Sequence, residues 1–193
     1  MGLYYHTKKS VKEYIEAARG HDGRKIIAKL KEHLPSGSRL LEIGSGPGTD
    51  WKLLNEHYHV TGSDQSKVFL EHLKLNIPEG EFLELDAASL NTPLLFDGIY
   101  SNKVLHHLED EALVSSVKRQ YEILQPGGII CHTFWHGQDS EIYNDLFVNY
   151  HTDEGIGMLL GKYFDHKLFH YYKEFEKGDS FLYIGKRKKG LSS

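Results

Sequence analysis

The stretch Leu40-Leu41-Glu42-Ile43-Gly44-Ser45-Gly46-Pro47-Gly48-Thr49 constrains the fold of this chain more than any other. An apolar run ending in an acidic residue reads as a buried strand, and three glycines at alternate positions read as a tight turn into a helix. Glycine there lets the backbone approach a bound molecule where any Cβ would collide. Pro47 suits the first helical position, since its missing N–H would have no partner there. The helix start leaves free N–H groups, so the corner is suited to holding a ligand.

Around this corner the pattern alternates. Helical spacing over residues 8–18 and 24–33 leads into a strand at 39–43, a helix at 47–57, a strand at 58–62, a helix at 66–75 and a strand at 81–85. A strand at 97–101, a helix at 109–124 and a strand at 128–135 continue the series. Such alternation demands right-handed crossovers, hence an α/β, Rossmann-like, mostly parallel sheet with helices on both faces. Helices are expected at 141–150 and 153–163, then two strand-like runs at 168–175 and 180–186. Only Glu176-Lys177-Gly178-Asp179 separates those runs, too little for a crossover, so they should form an antiparallel C-terminal hairpin at one sheet edge. Gln125-Pro126-Gly127-Gly128 is the turn between the long helix and the fifth strand.

The 193 residues carry no Pro/Gly/Ser-rich gap, which predicts a single domain. Its parts are an N-terminal helical lid (1–35), a ligand-binding core (39–135), a helical insertion (136–165) and the closing hairpin (166–189). A formal charge of −4 gives no reason to expect a nucleic-acid partner, and the cluster Lys186-Arg187-Lys188-Lys189 reads as a solvated tail. Cys131, the only cysteine, follows Ile129-Ile130 and reads as a core side chain in a reducing compartment. No apolar leader and no membrane-spanning run are visible, so a cytoplasmic protein is expected. Thirteen histidines invite a metal, yet there is no HExxH and no cysteine pair. The pairs His132/His136 and His166/His170 fall in predicted strands or loops, where four-residue spacing does not converge on one ion. No metal is expected.

Spacing then selects among nucleotide chemistries. A dinucleotide fingerprint needs glycine or alanine where Thr49 stands, and a P-loop needs a Lys-Ser or Lys-Thr pair after the glycines. The second strand runs on to Asp64, about one βαβ step later, where a carboxylate can accept both hydroxyls of a ribose. The third ends at Asp86, which can accept from an exocyclic amine such as that of adenine. Each aspartate alone reads equally as a helix N-cap. Glu42, Asp64 and Asp86 at three strand ends together point to a ligand.

These segments, with Asp86-Ala87, Phe96-Asp97 to His107-Leu108 and Leu124-Gln125-Pro126-Gly127-Gly128, resemble the successive motifs of class I S-adenosylmethionine-dependent methyltransferases. The resemblance covers about residues 39–135 and the closing hairpin. It implies a seven-stranded sheet in the order 3-2-1-4-5-7-6 with an antiparallel seventh strand, and S-adenosyl-L-methionine as cofactor, released as S-adenosyl-L-homocysteine. It further implies that Gly44, Gly46 and Gly48 line the methionine end, that Glu42 lies near the amino group, that Asp64 holds the ribose and that Asp86 with Ala87 meets the adenine. Ser45, Gln65, Asn102 and Tyr14 complete the cofactor-binding candidates, Asn102 standing where the family faces both methionine and acceptor.

Methyl transfer from a sulfonium needs mainly the placement of a nucleophile about 3 to 3.5 Å from the methyl carbon. Where the acceptor must lose a proton, histidine is the usual base. His107 is the candidate from the adjacent pair His106-His107, and His136 a second at the rim; the alternative for each is a solvated or capping histidine. Asn102-Lys103-Val104-Leu105 stands where enzymes of flipped DNA or RNA bases carry an Asp/Asn/Ser-Pro-Pro-aromatic motif, which argues for a small-molecule acceptor. Tyr4, Tyr5 and Tyr14 before the core, and Phe134, Trp135, Tyr143, Phe147 and Tyr150 after it, either pack the sheet edge or offer aromatic faces to an apolar or cationic acceptor. A non-catalytic S-adenosylmethionine-binding protein, or an enzyme acting on protein or RNA, remain alternatives.

Overall fold

A computed structural model describes residues 7–17, 20–143 and 146–190. Two helices, α1 (Lys8–Ala17) and α2 (Arg24–Leu30), precede β1 (Arg39–Ile43), whose last four residues are all buried. Unbroken burial of that kind belongs to a central strand covered on both faces. The chain continues through α3 (Thr49–Asn55), β2 (His59–Asp64), α4 (Lys67–Asn76), β3 (Glu81–Glu84), β4 (Phe96–Asn102), α5 (Asp110–Ile123) and β5 (Leu124–Trp135). After these come the hairpin β6 (Ser140–Tyr143) and β7 (Leu146–Asn149), then α6 (Asp153–Leu160), β8 (Phe164–Tyr172) and β9 (Ser180–Arg187).

The main sheet has seven strands in the order β3-β2-β1-β4-β5-β9-β8. The pairs from β3 to β5 are parallel, with Leu40 opposite Val60 and Leu41 opposite Ile99, whereas β9 is antiparallel to both β5 and β8. With the separate β6–β7 hairpin set aside, this is the expected 3-2-1-4-5-7-6 order. Alternation along each strand divides the core in two. Leu40, Tyr100, Cys131, Leu182 and Ile184 pack under α2, α3 and α4 with Leu30, Trp51, Leu54 and Leu73. Their neighbours Leu41, Ile99, Ile130, Phe181 and Tyr183 pack under α5 and α6 with Leu113, Val117, Ile156 and Leu160.

Three expectations need correction. The segment read as a helix over 141–150 supplies the β6–β7 hairpin, because burial from Leu146 to Asn149 has period two, Leu146 and Val148 facing inward. The 136–165 insertion is therefore a hairpin followed by a helix. Helix α3 starts at Thr49, not Pro47, because Gly48 adopts a left-handed conformation (φ 82°) and forms the N-cap. A Cβ at Gly48 would lie 2.6 Å from Leu73 Cδ2, so this glycine serves packing onto α4. The tip residues 1–6, with Tyr4 and Tyr5, and residues 18 and 19 lie outside the described residues.

A buried hydrogen-bond relay ties the sheet to the loop after β3. Ser101 donates to His132 Nδ1 (2.8 Å), His132 Nε2–H donates to Gln120 Oε1 (2.7 Å), Gln120 donates to Ser116 Oγ (3.2 Å) and Ser116 donates to the Ala87 carbonyl (2.6 Å). The carbonyl ends fix every direction in the chain, and burial pushes the His132 pKa down to about 3, so the ring stays neutral.

Candidate functional site

The carboxyl ends of β1, β2 and β4 open onto a cavity of about 530 Å³ continuous with a narrow cleft of about 80 Å³. Tyr14, Gly44, Gly46, Asn102, Lys103 and His107 line both. Glu42 and Ser45 belong to the wide part, and Asp64, Gln65 and Ala87 to the cleft, where Phe69 and Leu85 add apolar walls. A crevice at the strand ends is where open α/β sheets bind ligands.

The glycine turn is held from two sides. Ser45 exchanges bonds with Ser63, its N–H donating to the carbonyl (2.8 Å) and its Oγ accepting the amide (3.1 Å). Asp64 accepts the N–H of Gly46 (3.0 Å) and of Ser66 (2.8 Å). Gly44 sits at φ 71°, and a Cβ there would strike Val104 Cγ2 at 2.6 Å, so the turn can reach β4 only as glycine.

Glu42 is 3% exposed, and its Oε2 has no hydrogen-bond partner among the described residues. Burial, reinforced by the nearby Asp50 carboxylate, raises its pKa to about 8. A hydrogen bond from the Ser45 side chain opposes the rise, but a buried acid with one oxygen unpartnered on a cavity wall is costly unless a donor arrives from the cavity. Beside it Asp50 collects the Gly23 N–H (2.6 Å), Tyr100 OH (2.7 Å) and Asn102 Nδ2 (3.0 Å), while Asn102 Oδ1 accepts from Thr133 (2.7 Å). The Asn102 amide orientation is thus fully specified.

His107 Nδ1 lies 2.7 Å from the Phe147 carbonyl. A carbonyl only accepts, so that nitrogen carries the proton and Nε2 of the neutral ring carries a lone pair. Burial lowers the pKa of His107, and that of the adjoining His106 further. His106 packs 4.0 Å from the His107 ring, and its Nδ1 is buried with no partner among the described residues.

Other candidates fall outside. His136 is exposed on the outer side of the β8–β9 turn, 3.2 Å from the Gly178 carbonyl, and does not line the cavity, since β5 ends at Trp135 and the chain turns outward. Asp86 is exposed and caps its own loop by accepting from Ala88 (2.7 Å) and Ser89 (3.0 Å), leaving Ala87 alone to face the cleft. Gly48 lines neither space. Tyr14 is brought to Gly46 and the cleft by α1, its ring edge-on to Phe69 at 5.8 Å.

Sequence reasoning passed over Asp50, Lys103 and Glu174 as site residues, and from the pair His106-His107 it took only His107, whereas both line the cavity. Lys103 adopts φ 56°, with its N–H on Thr133 Oγ1 (2.9 Å). Its Nζ donates to the Phe134 carbonyl (2.9 Å) and Ser180 Oγ (2.7 Å) and lies 3.4 Å from the Trp135 ring centroid. Burial lowers its pKa to about 7. Asp179 accepts the N–H groups of Glu174, Phe175 and Glu176 and so fixes the turn that carries Glu174 and Phe175 to the cavity. These roles carry no local signal and depend on tertiary contacts.

Residues 40–128 match the family model of the methyltransferase domain. An uncharacterized methyltransferase of Oceanobacillus iheyensis is 34% identical over 109 residues, 54% of this chain and 49% of that protein. A trans-aconitate 2-methyltransferase of an Enterobacter species is 31% identical over 97 residues, 49% of this chain and 38% of that protein. The chain thus spans half or less of the length of these curated relatives. Among solved structures, Burkholderia thailandensis 1,6-didemethyltoxoflavin-N1-methyltransferase, crystallised with its acceptor and S-adenosylhomocysteine, aligns with a TM-score of 0.73 at 19% identity, over 86% of this chain and 78% of its own.

Proposed function

We propose that this chain, a class I S-adenosylmethionine-dependent methyltransferase by fold and motif order, binds S-adenosyl-L-methionine in the joined cavity and cleft and methylates a small molecule. The observation that carries the reading is the unpartnered Oε2 of buried Glu42 on the cavity wall. The ammonium of a methionine moiety is the donor that this acid lacks, and pairing would restore its ionised form.

The residues fit the rest of the group. Gly44, Ser45 and Gly46 present backbone close to the wide end, Asp64 and Gln65 stand where ribose hydroxyls need acceptors, and Phe69, Leu85 and Ala87 give the cleft a flat apolar wall for a base. Bound there, the cofactor supplies a methyl group already activated as a sulfonium. What remains for the protein is to orient the acceptor, exclude water and take a proton, and the Nε2 lone pair of His107 suits the last task. A volume of about 530 Å³ is that of a small-molecule site.

Titration with S-adenosylhomocysteine by calorimetry tests cofactor binding, with saturable one-site binding expected. Incubation with methyl-labelled cofactor and a metabolite extract then tests the acceptor class. Label in small molecules is the expected result; label only in precipitable protein or RNA would overturn the small-molecule reading, and no binding of the homocysteine product would overturn the whole.

A further inference from the structure

Beyond the residues turned toward the cofactor, the cavity widens to a mouth formed by Trp135, by Tyr143, Leu146 and Val148 of the β6–β7 hairpin, and by Glu174 with Phe175. The apolar side of that mouth is solvent-facing, Tyr143 being 63% and Phe175 64% exposed, and Phe175 stacks on Trp135 at 5.8 Å. Its polar side is one-sided in chemistry. Asp22, Glu42, Asp50 and Glu174 bring four carboxylates to the cavity, and Lys103 brings one ammonium.

That ammonium is not free to meet an anion. Its donors reach the Phe134 carbonyl and Ser180 Oγ, and the Trp135 ring lies against it. Of the carboxylates, Asp50 is filled by three donors and Asp22 pairs with Arg24 at 3.1 Å. Glu42 belongs to the glycine turn. Glu174 remains, half-buried and 3.8 Å from the largely exposed His21. His106 and His107 add no positive charge, since burial keeps both neutral. His107 offers a lone pair, and the buried Nδ1 of His106 is unpartnered among the described residues. Among the described residues, the acceptor end of the cavity therefore presents the Glu174 carboxylate and the His107 lone pair beside aromatic faces, with the Lys103 amine already engaged.

We infer that the methyl acceptor is an amine, neutral or cationic, carried on an apolar ring, and that Glu174 selects it over a carboxylate. The inference rests on the proposed methyl transfer in this cavity. An amine N–H donates to Glu174 while its ring lies along Phe175 and Tyr143. A cationic amine first gives a proton to solvent; the neutral nitrogen then uses its lone pair to bond the methyl carbon as that carbon gives up its bond, with the electron pair, to sulfur, and the surplus proton on the methylated nitrogen passes to His107 Nε2 and on to solvent. An acid in the same place would meet Glu174 with like charge, and the Lys103 Nζ is already engaged.

The experiment uses protein saturated with S-adenosylhomocysteine and two probes of matched shape and opposite charge, tryptamine and indole-3-propionate, titrated by calorimetry. Tryptamine is expected to bind at least about tenfold more tightly, and Glu174→Gln to reduce that ratio below about threefold. The variant should keep its affinity for S-adenosylhomocysteine, because the turn is held through the Glu174 backbone and not its side chain. Equal or tighter binding of the acid, a ratio that survives Glu174→Gln, or binding of neither probe at millimolar concentration would overturn the inference. Failure of the protein to bind S-adenosylhomocysteine would instead remove the methyltransferase reading on which it stands.

Discussion

The Asp64 carboxylate accepts the backbone N–H of Gly46 at 3.0 Å, joining the end of the second strand to the middle of the glycine turn. Its other oxygen accepts from Ser66 at 2.8 Å, so one side chain sets both the turn and the entry into α4. Desolvation raises its pKa, and the bonds from Ser66, Gly46 and Gln65 oppose the rise. Three donors leave at least one of the four acceptor positions of the carboxylate, so shaping the site and binding a ribose are compatible roles.

Asp64→Ala should therefore weaken S-adenosylhomocysteine binding at least about tenfold, or about 1.4 kcal/mol. It should also lower unfolding stability by about 1 to 3 kcal/mol, because the N–H groups of Gly46 and Ser66, with that of Gln65, lose their partner. Calorimetry and urea unfolding read the two effects separately, and unchanged affinity would contradict the assignment to ribose.

Two glycines of the same turn should respond oppositely to alanine. Among the described residues, a Cβ at Gly46 meets nothing nearer than Tyr14 Cε1 at 4.0 Å, so it projects into the space the cofactor needs. Gly46→Ala should fold, with a left-handed strain of about 1 to 2 kcal/mol, and lose affinity for S-adenosylhomocysteine. A Cβ at Gly48 meets Leu73 at 2.6 Å and Ile77 at 3.0 Å. Gly48→Ala should carry an added overpacking cost of about 1 to 3 kcal/mol, visible as the larger fall in thermal midpoint of the pair.

His107 and His136 separate a cavity residue from a surface one. Once an acceptor is found, His107→Ala should slow methyl transfer by about 10² or more with cofactor affinity unchanged. His136→Ala should alter neither, since the exposed ring stands outside the cavity. Initial rates at saturating cofactor decide the matter.

Ser116 is a long way from this chemistry in sequence but donates to the carbonyl of Ala87, the cleft residue, at the end of the relay from Ser101 through His132 and Gln120. Ser116→Ala leaves that carbonyl and the Gln120 amide without their buried partner. Stability in urea should fall by about 1 to 3 kcal/mol, and Ser116→Thr should restore most of it.

The sequence candidates that the structure brings to the cavity are mostly those made by neighbours along the chain. Gly44, Gly46, Asp64 and Ala87 follow strand ends, and an apolar run before a turn announces where a strand stops. Asp86 has the same signature and is spent on its own loop, because an Asx-turn and a ligand carboxylate look alike in one dimension. The β6–β7 hairpin was misread because four alternating residues are too few to distinguish period two from helical spacing. Lys103 and Glu174 were illegible for another reason. Their surroundings, Ser180, Trp135 and the turn gathered by Asp179, come together only after β9 inserts beside β5.

Glu42 gives the last prediction, from its pKa of about 8 against an ordinary value of 4.5. Between those values the folded protein holds a proton that the unfolded chain has released, so stability contributed by this group is present below 4.5 and is lost as pH rises through 8. The thermal midpoint of the free protein should fall across this window, and Glu42→Gln, which keeps a neutral polar group there, should flatten the fall. Arrival of a methionine ammonium reverses the preference by favouring the carboxylate. Binding of S-adenosylhomocysteine at pH 7 should then release close to one proton, seen as a binding enthalpy that varies with the ionisation enthalpy of the buffer, and Glu42→Gln should abolish that dependence. Proton uptake, or a dependence that survives the substitution, would place the ligand's amino group elsewhere.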